Sequence, residues 1–245
     1  MTRPTKVLLR AALALALVAL LGTGVIGFAH TAPGRPLLAL IGPALGMAKA
    51  APGPQGCPFG FDRAASPAER DARRLRFAAL HRGEAVARTR PALGFTLGQT
   101  TRTEVLAWAK SHRLLCTTPR SGDGLECQQV PLAFLPTPGE SGALLQGLWL
   151  GFGEGERLES VVALRKEPRP EPVSAAFAAL ARSLAEQAGP PSLQQGDGSA
   201  QGLAAGLLAQ SSAEYRFRDY YALARVTNLG DGYLLTSEYR ALPGT

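Results

Sequence analysis

At 245 residues, with 46% hydrophobic and 18% charged side chains, the chain has apolar material for a sizeable domain, which excludes a fully disordered protein. Its 28 glycines and 19 prolines announce long loops. The formal charge of +7 comes from Arg3, Lys6 and Arg10 at the start and from residues 62–90, where eight arginines face four acids; the remainder is balanced. With only +4 beyond the N-terminus, no nucleic-acid partner is expected, because that binding rests on neutralising many phosphates.

The three leading cations precede nineteen residues, 11–29, without a charge. Residues 1–29 read either as a signal peptide or as an uncleaved membrane anchor. Residues 13–21 form a compact apolar h-region and Gly27-Phe28-Ala29 a small-x-small cleavage site, yet nineteen apolar residues also nearly span a bilayer. Either way the rest of the chain is expected outside the cytoplasm, whether periplasmic, secreted or membrane-anchored through 11–29. The Gly22-x-Gly24-x-x-Gly27 string lies inside this apolar run and lacks the strand–turn–helix context of a dinucleotide site. Residues 30–61, with prolines at 33, 36, 43, 52, 54 and 58, read as a linker. Its apolar stretch 37–48 is too short, and too broken by Pro43, to span a membrane.

Residues 62–245 are the expected domain. Ser66-Pro67-Ala68-Glu69 is a capping-box start, and a helix to about His81 follows with Ala68, Ala72, Leu75 and Ala79 on its apolar face. Its arginines read as a solvated face interleaved with acids. Thr101-Arg102-Thr103-Glu104 opens a second helix, whose Val105, Trp108, Ala109 and His112 recur at helical spacing. Strands ending in Cys116 and beginning before Cys127 then flank a turn-rich connection. In an oxidising compartment these two cysteines are disulfide partners across a hairpin, worth roughly 2–3 kcal/mol. Cys57 is left free or pairs with another chain. A second hairpin, 148–152 with 158–164, ends at Pro168, Pro170 and Pro172. A helix from Ser174 to Ala188, a short helix near 203–210 and a terminal hairpin around Asp231-Gly232 complete the chain. Helix, hairpin, hairpin, helix, hairpin implies an α+β fold, an antiparallel sheet with helices packed on one face, built from two helix-plus-strands units.

Catalytic patterns are largely missing. There is no G-x-S-x-G elbow, H-E-x-x-H, P-loop or EF-hand string, and three scattered histidines offer no metal cluster, so neither metal nor cofactor is expected. The terminal hairpin concentrates arginine and aromatic side chains, types enriched at binding hot spots, and Arg216, Arg218, Tyr220 and Tyr239 are the candidate binding residues. Period-two alternation sets Tyr215 and Phe217 against Arg216 and Arg218.

Leu97-Gly98, Thr100 or Thr101, Glu104-Val105 and Trp108, followed by Cys116 and Cys127, resemble the start of the small envelope domains shared by the β-barrel-assembly lipoprotein and the β-lactamase inhibitor protein. The resemblance covers about a fifth of the chain; the second helix lacks the L-G-x-T entry. It implies a non-catalytic domain that binds proteins. The expected function is therefore an exported envelope domain with a protein partner. The alternatives are a small-ligand domain with a cone-like curved sheet and a carboxylate-based hydrolase. A filled core with an exposed aromatic strand face favours the first. A deep pocket lined by Trp149, Phe152 and tyrosines favours the second, and paired buried carboxylates in a cleft favour the third.

Overall fold

The computed structural model describes residues 66–119, 124–135 and 142–243, all within a compact unit, Ala64–Thr245. Residues 1–29, the linker 30–61 and Cys57 lie outside the described residues. Among the described residues no helix is long and apolar enough to cross a membrane.

In chain order the elements are α1 (Pro67–His81), β1 (Pro91–Ala92), β2 (Phe95–Thr96), α2 (Arg102–Ser111), β3 (Cys116–Thr117), β4 (Gly124–Pro131), β5 (Leu144–Phe152), β6 (Leu158–Glu167), α3 (Pro170–Gln187), β7 (Leu193–Gln195), α4 (Ala200–Ala204), β8 (Gln210–Arg216), β9 (Tyr220–Asn228) and β10 (Tyr233–Ala241). β1 and β2 form a small hairpin, and the other eight strands form one antiparallel sheet in the order β3-β4-β5-β6-β10-β9-β8-β7. The fold is α+β. Each half is a helix followed by a four-stranded meander, and the halves join through their last strands. β6 and β10 pair from Tyr233↔Glu167 to Arg240↔Ser160.

The register makes this arrangement two-fold. Reading across the sheet, Cys116, Cys127, Leu148, Ala163, Ser237, Ala224, Ala213 and Gln194 stand opposite one another in turn. The pair Ala163↔Ser237 lies at the centre, with three strands on either side.

Side chains alternate between the faces of a strand, so one row assigns the residues around it, up to the irregularity at Gly151 and Phe152. On the core face lie Leu125 and Cys127, Leu148 and Leu150, Val161 and Ala163, Leu235 and Tyr239, Tyr220, Ala222, Ala224 and Val226, and Ala213 and Tyr215. All are buried in one cluster with Val105 of α2, Val173, Phe177 and Leu184 of α3, and Leu203 of α4. α2, α3 and α4 therefore share one face, while α1 lies across the other.

The local causes are capping and burial. Thr101 accepts from the Glu104 amide and the Glu104 carboxylate returns to the Thr101 amide, closing the capping box of α2; the same reciprocal bonds at Ser66 and Glu69 start α1. These bonds hold the Glu104 carboxyl below the usual carboxylate range. α3 begins at Pro170, earlier than the Ser174 expected, because Pro170 and Pro172 fall in the first turn, where a missing N–H removes no helix bond. The short helix is Ala200–Ala204 rather than 203–210, since Gln210 already belongs to β8. The segment read as one terminal strand folds back at residues 217–219. Phe217 donates to the Tyr220 carbonyl and the Asp219 carboxylate accepts from the Ala87 amide, so β8 and β9 are separate strands.

Cys116 and Cys127 form a disulfide between directly paired residues of β3 and β4. Trp108 packs edge-to-face on Phe95 with ring centroids 5.1 Å apart, and its Nε1 donates to the Phe134 carbonyl at 2.8 Å. His112 is the C-cap of α2 and stacks on Phe134.

Candidate binding face of the sheet

The face opposite the core has two central rows. One reads Glu126, Trp149, Val162, Glu238, Leu223, Glu214; the other reads Gln128, Gly147, Leu164, Thr236, Arg225, Ser212. In the first half, β5 supplies Gly147, Trp149 and Gly151 to this face and sends Leu148 and Leu150 into the core. Trp149 lies over Gly147: a Cβ at that glycine would come within 2.4 Å of the indole Cη2. The glycine is what allows the ring to lie down on the strand.

Trp149, Val162, Leu164 and Leu234 are partly exposed, and they pack against neither buried cluster of the protein. α1 contacts this face at Tyr221, Leu223 and Glu159 instead. The four lie close together on one face of the sheet, which makes this strip a candidate contact surface.

The second half of the same face is charged and partly covered. Glu214 pairs with Arg216 at 2.5 Å, Glu238 pairs with Arg240, and each pair lies two residues apart on one strand. Between them Tyr221 and Leu223 receive Phe77 and Ala78 of α1. Phe77 meets Tyr221 edge-on at 5.1 Å, His81 lies 4.8 Å from the same ring, and the Arg240 guanidinium sits 4.4 Å over Phe77. Arg74 of α1 reaches Glu159 at 2.7 Å. Burial raises the Glu159 carboxyl above its ordinary value against the pull of Arg74. Burial also raises the Tyr221 hydroxyl, with Glu214 and Glu238 adding to it.

The expected site residues divide between these faces. Tyr220 and Tyr239 lie in the core, 0% and 1% exposed, so neither ring can meet a partner. The Tyr220 hydroxyl donates to the Pro91 carbonyl at 2.5 Å, and burial holds that phenol well above its ordinary value. Burial pushes Tyr239 up to about 12. Tyr215, also buried, donates to the Ala181 carbonyl at 2.6 Å. Arg216 is on the open face but is held by Glu214, and Arg218 is exposed in the β8–β9 turn. The four therefore do not converge. Trp149, read from the sequence only as a candidate pocket wall, lies instead on the open face between Gly147 and Gly151.

The remaining chemistry is sparse among the described residues. No group of acids, histidines and cysteines there is arranged to hold a metal. Tyrosines and leucines fill the core, and Phe152 packs beneath the Arg102 guanidinium instead of lining a cavity. A recess of about 390 Å³ lies beside the β1–β2 hairpin, lined by Gly94, Phe95, Thr96, Gln99, Thr100, Glu104 and Trp108. Its carboxylate, Glu104, is engaged in the α2 cap, and its tryptophan N–H is taken by Phe134. Glu214 and Glu238 flank Leu223 across β9, with each carboxylate held by an arginine. No family model, curated protein or solved structure matches the chain.

Proposed function

We propose that this chain is an exported, non-catalytic binding domain of the cell envelope that engages a protein through the open sheet face centred on Trp149. The observation that carries the reading is the partly exposed strip of Trp149, Val162, Leu164 and Leu234 on a sheet whose opposite face is fully packed. A tryptophan laid on a rigid strand among aliphatic neighbours is the kind of residue that dominates protein interfaces. Arg225, in the adjoining row, has a buried Nε without a hydrogen-bond partner, which suits a partner bringing a carboxylate or carbonyl beside its apolar contact. The Cys116–Cys127 disulfide agrees with an oxidising compartment. The cations and uncharged run of residues 1–29 agree with export. The filled core favours this reading over a cone-like ligand domain, and the arginine-paired acids favour it over a carboxylate hydrolase.

The test is photocrosslinking in intact cells, with a photoreactive residue at position 164 on the open face and a control at exposed Glu186 on α3. A discrete envelope-protein adduct is expected from 164, absent from 186 and lost with Trp149→Ala. Equal adducts from both positions overturn the proposal. So does the absence of any adduct together with a small molecule that raises the melting temperature.

A further inference from the structure

We propose that α1 is a displaceable cover on the second half of the open face, and that a protein partner gains the full width of the sheet by lifting it; this rests on the reading of that face as the binding surface. The first support is how α1 is docked. Its sequence periodicity puts Ala68, Ala72, Leu75 and Ala79 on one apolar stripe, and amphipathic helices ordinarily bury that stripe. Here the stripe faces solvent, with Leu75 60% exposed, and the helix meets the sheet through Arg74, Phe77, Ala78 and His81.

The second support is the quality of that contact. Among the described residues, three buried side-chain nitrogens lack a hydrogen-bond partner: Arg74 Nε and His81 Nδ1 on α1, and Arg225 Nε on β9, two residues from the Leu223 that α1 covers. Each is a buried donor left unpaired in the docked state, and those of Arg74 and His81 regain water when the helix leaves. The apolar contact opposing release is local: Phe77 and Ala78 of α1 meet Tyr221, Leu223 and Leu242, whereas α3 is packed into the main core through Val173, Phe177 and Leu184.

The third support is a pivot. The chain beyond α1 is pinned: the Gly83 amide donates to the Phe217 carbonyl at 3.1 Å, and the Ala85 carbonyl accepts from the Arg218 amide at 2.7 Å. A Cβ at Gly83 would lie 2.0 Å from the Arg216 carbonyl oxygen, so only glycine passes there. Arg82, with extended φ and ψ, joins this anchored segment to the helix. Rotation there exposes Tyr221 and Leu223, and Leu223 continues the row Trp149, Val162, Glu238.

Hydrogen exchange on the full-length protein tests the cover apart from binding. The hydrogen-bonded amides of α1 are expected to exchange at least about tenfold faster than those of α3. Phe77→Ala should speed α1 alone by about tenfold again, and His81→Phe, which keeps the ring and removes an orphaned nitrogen, should slow it. Phe77→Ala should also raise the adduct yield from position 164. Exchange of α1 only in step with α3 overturns the proposal, as does a Phe77→Ala protein with a freed helix and an unchanged adduct yield. Trp149→Ala reports on the binding face separately: an undiminished adduct there defeats the binding reading whatever α1 does.

Discussion

The two halves of the sheet share a topology and almost nothing else. In the first, β3 to β6 follow a ten-residue helix with a complete capping box, the edge is joined by a disulfide, and the far face is open around Trp149. In the second, β7 to β10 follow an eighteen-residue helix whose N-cap, Arg169, makes no side-chain bond. Its core is filled by the phenols of Tyr215, Tyr220 and Tyr239, and its far face is charged and covered by α1. The central row shows the exchange directly: the position of Cys127 in one half is that of Ala213 in the other. A meander needs its core face buried, and either a short-range covalent tie or large aromatic side chains can secure that. What the far face carries is free to differ, and the two halves differ most there.

That contrast predicts how the halves fail. All of the buried phenols belong to the second half, and burial raises Tyr215, Tyr220, Tyr221 and Tyr239 above the ordinary value of 10.0. A phenol whose native pKa is raised contributes stability that is full below its unfolded value and lost as pH climbs through the native one. These tyrosines should therefore ionise only as the sheet unfolds above pH 10, with absorbance at 295 nm and far-UV circular dichroism changing together. The β6–β10 ladder ties the halves along its whole length, so the first half should unfold in the same transition. Titration of the phenols near pH 10 with the sheet intact would refute this account.

The disulfide comes next in size. Replacing Cys116 and Cys127 together by alanine should remove about 2–3 kcal/mol, read as a lower urea midpoint with a single transition. Two transitions would show that the halves fold separately. Smaller still is the contrast between the helix starts. Thr101→Ala should destabilise by about 1 kcal/mol, while Arg169→Ala, which removes no capping bond, should be close to neutral.

Much of this contrast could be read from residue order, and what escaped did so for physical reasons. The capping boxes, the cysteine pair and the second hairpin are local, set by groups a few residues apart, and they appear where expected. The docking side of α1 did not follow its apolar stripe. A distant carboxylate, Glu159, and a ring on β9, Tyr221, supply the contacts, and neither is visible in the helix itself. Pro170 and Pro172 read as terminators because a proline's role depends on whether it falls in a first turn or later. Tyr220 reaches the core because the turn at residues 217–219 resets the alternation that would otherwise set it beside Arg216, and Tyr239 follows through its pairing with Ala222 on β9. Arg216 lies on the face that alternation assigns it, and the carboxylate of Glu214 two residues away holds it there.

The smallest stability change is expected where the largest functional one is. Trp149 is partly exposed and packs against neither buried cluster, so Trp149→Ala should change the stability read from urea unfolding by no more than about 0.5 kcal/mol, the range of ordinary surface changes. Gly147→Ala supplies the companion measurement. Its new Cβ would stand within 2.4 Å of the indole, whose far end can swing away, so the ring is displaced while the strand persists. Stability should again change little, yet tryptophan fluorescence should report a new environment and the adduct from position 164 should fall. A Gly147→Ala protein with a shifted indole and an unaltered adduct would mean that the ring's seat on the strand is irrelevant to binding. A large loss of stability in Trp149→Ala would mean that the indole is core after all, and the contrast between the two faces of the first half would lose its basis.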